Sequence, residues 1–131
     1  MIVSPNHLWF YEVTLAPEAE SIATARQFVR GHLDSHDLPL LVDDMTLVAS
    51  ELATNAVAHA GTPFTVSLTA LVGTVILAVK DGSALRPIRM DPHLLDATGR
   101  GVAIVDFLSR EWGVSSHPYE GKSVWAAFDA G

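Results

Sequence analysis

The chain has 131 residues, a formal net charge of −7 and no cysteine. Its 49% of hydrophobic and 18% of charged residues are typical of a globular chain, and the length suits a single domain over residues 1–131. The missing cysteine excludes a disulfide scaffold, a thiolate metal site and a cysteine nucleophile, and the acidic balance argues against general nucleic-acid binding.

Strand and helix patterns follow one another along the chain. Aromatic and β-branched residues predict a strand over residues 8–15, and apolar spacing predicts a helix from about Pro17 to Leu33. A longer helix begins at Pro39 and is stopped by Gly61. Its apolar stripe repeats at steps of three and four residues and consists of Leu41, Met45, Val48, Leu52 and Ala56.

The second half begins with two strands. Alternation predicts a half-buried strand over residues 64–69, and a continuous apolar run predicts a central strand over residues 75–80. Residues 81–98 have no clean period, and an aperiodic stretch of this length in a compact domain is usually functional. A short helix is expected over residues 102–110, with strands over residues 112–115 and 122–129. This order predicts an α/β two-layer sandwich of helices on a mixed, mostly antiparallel sheet.

Three polar residues on the long helix are candidates for a site. Glu51, Asn55 and His59 recur every four residues, so their side chains drift by only about 40° per step and line one edge of the helix. A carboxylate and an amide oxygen are suited to magnesium, and a carboxylate is also a candidate general base. Three exposed polar residues on a helix would give the same pattern.

Two further motifs are candidates for contacts to a ligand. Asp81-Gly82 follows an apolar strand, where the carboxylate can accept a hydrogen bond from an exocyclic amine such as that of adenine, but the dipeptide also favours a simple turn. Gly99-Arg100-Gly101 precedes a helix, whose first N–H groups can bind phosphate oxygens. The motif lacks the Lys-Ser/Thr of a Walker A loop and the full Rossmann glycine pattern.

The charges are distributed unevenly. Residues 1–60 contain eight acids and two bases, whereas the six bases of the second half all lie from Lys80 to Lys122. Basic residues in the aperiodic stretch suit an anionic small ligand, although solvated surface charge is the simpler explanation of their position. The apolar runs are too short to span a bilayer, and no signal peptide is visible, so a soluble cytoplasmic protein without membrane contact is expected.

The order of these motifs resembles the GHKL ATPase superfamily, which includes histidine kinases and gyrase. The helix segment SELATNAVAHA (residues 50–60) looks like the N-box of the anti-sigma factor serine/threonine kinases and their actinobacterial relatives. The segments GRGVAIV (residues 99–105), EWGV (residues 111–114) and GKSVW (residues 121–125) look like the end of the ATP lid and the final hairpin of that branch.

This resemblance implies a role for each matching residue. Asn55 would hold the Mg²⁺ that bridges the phosphates of ATP or ADP. Glu51 would polarise the attacking hydroxyl or water, or help to organise the metal shell. Asp81 would bind the adenine amine, with Ser123 assisting through a water and Gly82 allowing close approach of the base. His59 would reach the phosphates, and residues 84–98 would form the ATP lid. The phosphate cradle would consist of Gly99, Arg100, Gly101 and Val102.

The resemblance also implies a function in transcription regulation. The chain would be an ATP-dependent serine/threonine protein kinase that sequesters a sigma factor and phosphorylates a small STAS-domain antagonist, and it could form a homodimer. The alternative is a non-catalytic, nucleotide-gated protein-binding module. A histidine kinase is disfavoured because no dimerisation and phospho-acceptor helix precedes the domain, and a metabolic ATPase has no feature in its favour.

Overall fold

A computed structural model describes residues 8–82, 100–117 and 121–130. Within these ranges every predicted helix and strand is present. In chain order the elements are β1 (Trp9–Leu15), α1 (Glu20–Ser35), α2 (Pro39–His59), β2 (Phe64–Leu71), β3 (Thr74–Asp81), α3 (Arg100–Leu108), β4 (Glu111–His117) and β5 (Gly121–Asp129).

Two helices begin at other residues than predicted. Helix α1 begins at Glu20, three residues after Pro17, and turn hydrogen bonds from the Ser21 and Ile22 N–H groups to the Glu18 and Ala19 carbonyls lead into it. Helix α3 begins at Arg100, so Arg100 and Gly101 belong to its first turn instead of preceding it.

The five strands form one sheet in the order β1-β2-β3-β5-β4. Each pairing of neighbouring strands in the described ranges is antiparallel, so the predicted α/β sandwich is confirmed and the expected parallel component of the sheet is not found there. Strand β3 lies in the middle of the sheet, as its apolar run predicts.

The core lies between one face of the sheet and the helices, and we call this face the inner face. Alternate residues of β2 and β3 are buried there, and polar residues such as Thr65 and Ser67 alternate with them on the outer face. Four of the five stripe residues of α2 are fully or almost fully buried, and Leu41 packs against them from a half-buried position. The predicted stripe is therefore the core surface of α2.

Two of the three tryptophans pack against this core and one does not. Trp9 and Trp112 are half-buried against core residues, as their size favours. Trp125 lies on the outer face, where its indole ring covers Gly113, and a Cβ atom at Gly113 would approach that ring to 2.7 Å. Gly113 thus leaves the room on β4 that the large ring on β5 requires.

No helix within the described ranges has both the length and the hydropathy that crossing a bilayer requires.

Candidate nucleotide site

One end of the sheet brings together residues that are distant in the sequence. Strand β2 begins where β3 ends, because Phe64 pairs with Asp81, and β5 begins beside the same point, because Asp81 pairs with Lys122. Helix α2 arrives at this end as well, since Gly61, with a φ of 65°, ends the helix just before β2. We call this region the β3 end.

Asp81 and Lys122 form a buried ion pair at the β3 end. Lys122 Nζ donates a hydrogen bond to Asp81 Oδ2 at 2.9 Å, and the side chains are only 10% and 4% exposed for Lys122 and Asp81. Removing two charges from water is costly, and their mutual attraction in a low-dielectric environment offsets part of this cost. The predicted base-binding carboxylate therefore stands beside a positive charge.

Two backbone features hold the β3 end in place. Gly121 has a φ of 106°, and a Cβ atom there would lie 1.9 Å from the Asp81 carbonyl oxygen, so only glycine fits. The Gly82 N–H donates to Thr62 Oγ1 at 2.9 Å, which connects the residue after β3 to the loop before β2. The Asp81 backbone is thus held between β5 and the α2–β2 loop.

The exposure of the three polar residues of α2 increases toward the C-terminal end of the helix. Glu51 is buried, Asn55 is half-buried and His59 is exposed, as expected for side chains that drift slowly around a helix toward its end. Among the ionisable side chains of the described ranges only Glu51, Asp81 and Lys122 are buried. Both buried acids are therefore residues that the sequence singles out, and α2 packs against β3.

The start of α3 offers backbone donors. The first four N–H groups of a helix have no partner within it, and they carry the positive end of the helix dipole. Helix α3 begins at Arg100 and packs against α2. Gly99 and the predicted lid, residues 84–98, lie outside the described residues, as do the side chains of Arg100 and Val102.

Ser123 is not brought to Asp81. It pairs with Lys80 and Ser115 in the register of β5, which places its side chain on the outer face. Lys122, one residue earlier, is the β5 residue that reaches Asp81 on the inner face. Strand alternation was the available signal, because Lys122 is in phase with the core residues Val124 and Ala126.

A cluster of three or more metal-ligating side chains is not found among the described residues. Magnesium in nucleotide sites commonly keeps several waters and takes only one or two protein ligands besides the phosphates. Asn55 fits this mode of binding, since its half-buried amide lies one turn beyond Glu51 on the same edge of α2.

The family model of the histidine kinase-like ATPase domain matches residues 15–128, and the chain belongs to this family. Its domains bind ATP with Mg²⁺, and the antiparallel five-stranded sheet covered by helices agrees with their fold. A search of curated proteins finds no match.

Proposed function

We propose that this ATP-binding domain is a serine/threonine protein kinase that acts as an anti-sigma-type switch regulator and phosphorylates a STAS-domain antagonist. The observation that carries the proposal is the burial of Glu51 and Asp81, the only buried acids of the described ranges, on α2 and at the end of β3. The proposed chemistry uses one carboxylate to bind the adenine amine and one to activate the nucleophile, and these two acids lie on elements that pack against each other.

The nucleotide would bind along a line from the β3 end to α3. The Asp81 carboxylate accepts a hydrogen bond from the adenine amine, and Gly82 lets the base approach the backbone. Asn55 provides the amide oxygen for Mg²⁺, which neutralises charge on the phosphates when bound. His59 extends toward the phosphates, whose cradle is Gly99 and the first turn of α3.

Glu51 would act on the nucleophile. The hydroxyl oxygen of a serine or threonine on the substrate protein forms a bond to the γ-phosphorus, while the bond from that phosphorus to the β–γ bridging oxygen breaks. ADP leaves, and the hydroxyl proton passes to the Glu51 carboxylate. Phosphoryl transfer depends mostly on positioning and charge stabilisation. One oriented carboxylate that accepts the hydroxyl proton is therefore sufficient for the protein's part in the chemical step.

A transfer assay tests this proposal. The purified chain is incubated with Mg²⁺, ATP and STAS-domain proteins encoded near its gene, and phosphorylation is read by intact mass and by mapping the modified residue. We expect one phosphate on a serine or threonine, and no transfer after that residue is replaced by alanine. If ATP binds but no STAS protein is phosphorylated, the kinase proposal is wrong and the nucleotide-gated binding module replaces it.

A further inference from the structure

Lys122 is the only buried cation in the described part of the chain, and the function proposed above assigns it no role. It lies beside Asp81 on the inner face, at the point where the base of the nucleotide would bind. A well-packed apolar pair at the ends of two strands would often be as stable as a buried ion pair or more so. The cost of burying Lys122 therefore points to recognition of a ligand.

The chemistry of the pair matches one edge of a purine. An ammonium group has three N–H donors and a carboxylate has about four acceptor positions. Each member of the ion pair can therefore form a hydrogen bond to a ligand while the pair stays intact. Adenine presents a donor, the 6-amino group, directly beside an acceptor, the ring nitrogen N1. We propose that Lys122 donates directly to N1 of adenine while Asp81 accepts from the 6-amino group. This specificity role rests on the proposed binding of ATP.

The same pair would reject guanine. Guanine reverses the pattern, with the O6 acceptor in place of the amine and an N1–H donor in place of the free ring nitrogen. O6 would then face the Asp81 carboxylate and N1–H would face the Lys122 ammonium. Both contacts are repulsive and lie in a buried place, where sites that hydrogen-bond a ligand discriminate most strongly.

The test compares ATP with 1-deaza-ATP, in which a C–H group replaces N1. Binding to the wild type and to Lys122→Met is measured by titration calorimetry in Mg²⁺ buffer. A hydrogen bond to a charged group corresponds to about tenfold to a hundredfold in affinity. We expect the wild type to prefer ATP over 1-deaza-ATP by about this factor, and Lys122→Met to bind the two nucleotides equally.

A matched control separates recognition from general charge. Lys80→Met removes an exposed lysine from the outer face of β3, one residue before Asp81, and should keep the full preference for ATP. Thermal unfolding of each variant reports whether it is folded. If Lys122→Met does not fold, the double variant Asp81→Asn/Lys122→Met removes both charges and takes its place in the same comparison.

The outcomes are distinguishable. A wild type that binds no ATP overturns the proposed function, and this inference with it. A wild type that binds ATP and 1-deaza-ATP equally overturns the role of Lys122 alone. If Lys122→Met prefers ATP over 1-deaza-ATP by the same factor as the wild type, the role of Lys122 is also overturned, because N1 would then be recognised by another group or by water.

Discussion

Gly121 lies so close to Asp81 that a Cβ atom on the glycine would stand 1.9 Å from the aspartate carbonyl oxygen. The glycine also has a φ of 106°, a conformation that residues with side chains rarely adopt. Both constraints act at the place where β5 begins and β3 ends. The buried Asp81–Lys122 pair therefore depends on a backbone contact that only glycine permits.

Replacing Gly121 with alanine should destabilise the protein and disturb the β3 end. The clash and the unfavourable φ together should lower the free energy of unfolding by about 2–4 kcal/mol, measured by urea denaturation. Gly31→Ala is the control, because an added Cβ on Gly31 would meet nothing within 4 Å beyond its chain neighbours and the nearby backbone of α1, and it should stabilise by about 0.5–1 kcal/mol. Equal stabilities of the two variants would contradict the close approach.

Replacing Asp81 with asparagine should weaken nucleotide binding. The amide keeps the shape of the side chain but loses the charge-assisted hydrogen bond, and the affinity for ATP should fall at least about tenfold in a calorimetric titration. Asp44→Asn, an exposed acid on α2, should leave the affinity unchanged. An unaltered affinity in Asp81→Asn would remove this carboxylate from the base subsite.

Replacing Thr62 with valine should free the Gly82 amide. The hydrogen bond from Gly82 N–H to Thr62 Oγ1 is exposed, so its loss should cost less than about 1 kcal/mol of stability. Hydrogen exchange measured by NMR should nevertheless show faster exchange at Gly82, since its acceptor has disappeared. Thr62→Ser retains the oxygen and should restore slow exchange. No difference between serine and valine would show that this contact does not hold the β3 end.

The sequence predicts the elements of this site better than their pairing. The stripe of α2 and the apolar run of β3 depend on local periodicity, which is why Glu51 and Asp81 could be singled out in advance. The partner of Asp81 depends instead on the register between β3 and β5, whose paired residues Asp81 and Lys122 lie 41 positions apart. A shift of two residues would keep Val124 and Ala126 on the inner face but would no longer place Lys122 opposite Asp81, and no local pattern excludes that register.

The pH dependence of stability should include a contribution from His32. Burial, and secondarily the charge of His36, lower the pKa of His32 below its ordinary value. Its ring also stacks on Tyr11, with ring centroids 3.8 Å apart. Between the folded and unfolded pKa values the unfolded chain binds more protons, so the free energy of unfolding should fall as the pH drops below about 6.5.

Urea denaturation at about pH 7 and about pH 5 measures this effect. His32→Phe keeps an aromatic ring against Tyr11 and does not titrate, so its stability should fall less than that of the wild type over the same interval. An identical fall in both proteins would assign the acid sensitivity to other groups.

The last prediction separates catalysis from binding on α2. Glu51→Gln keeps the size of the buried side chain but cannot accept the proton of the attacking hydroxyl. It should bind ATP within a few-fold of the wild type and transfer phosphate about 10²–10⁴ times more slowly, the usual contribution of a general base. Asn55→Ala removes the proposed magnesium ligand, so binding in the presence of Mg²⁺ and transfer should both weaken.

The difference between these two variants is the measurement that matters. Calorimetry with and without Mg²⁺ measures the affinity for ATP, and single-turnover transfer to the STAS acceptor measures the rate of catalysis. Asp44→Asn controls for charge on α2 and should match the wild type in both. If Glu51→Gln transfers phosphate at the wild-type rate, the carboxylate does not activate the nucleophile. If Asn55→Ala retains its Mg²⁺-dependent affinity, the metal is held elsewhere. The proposed assignment of metal binding to Asn55 and of catalysis to Glu51 on this edge of α2 is then wrong.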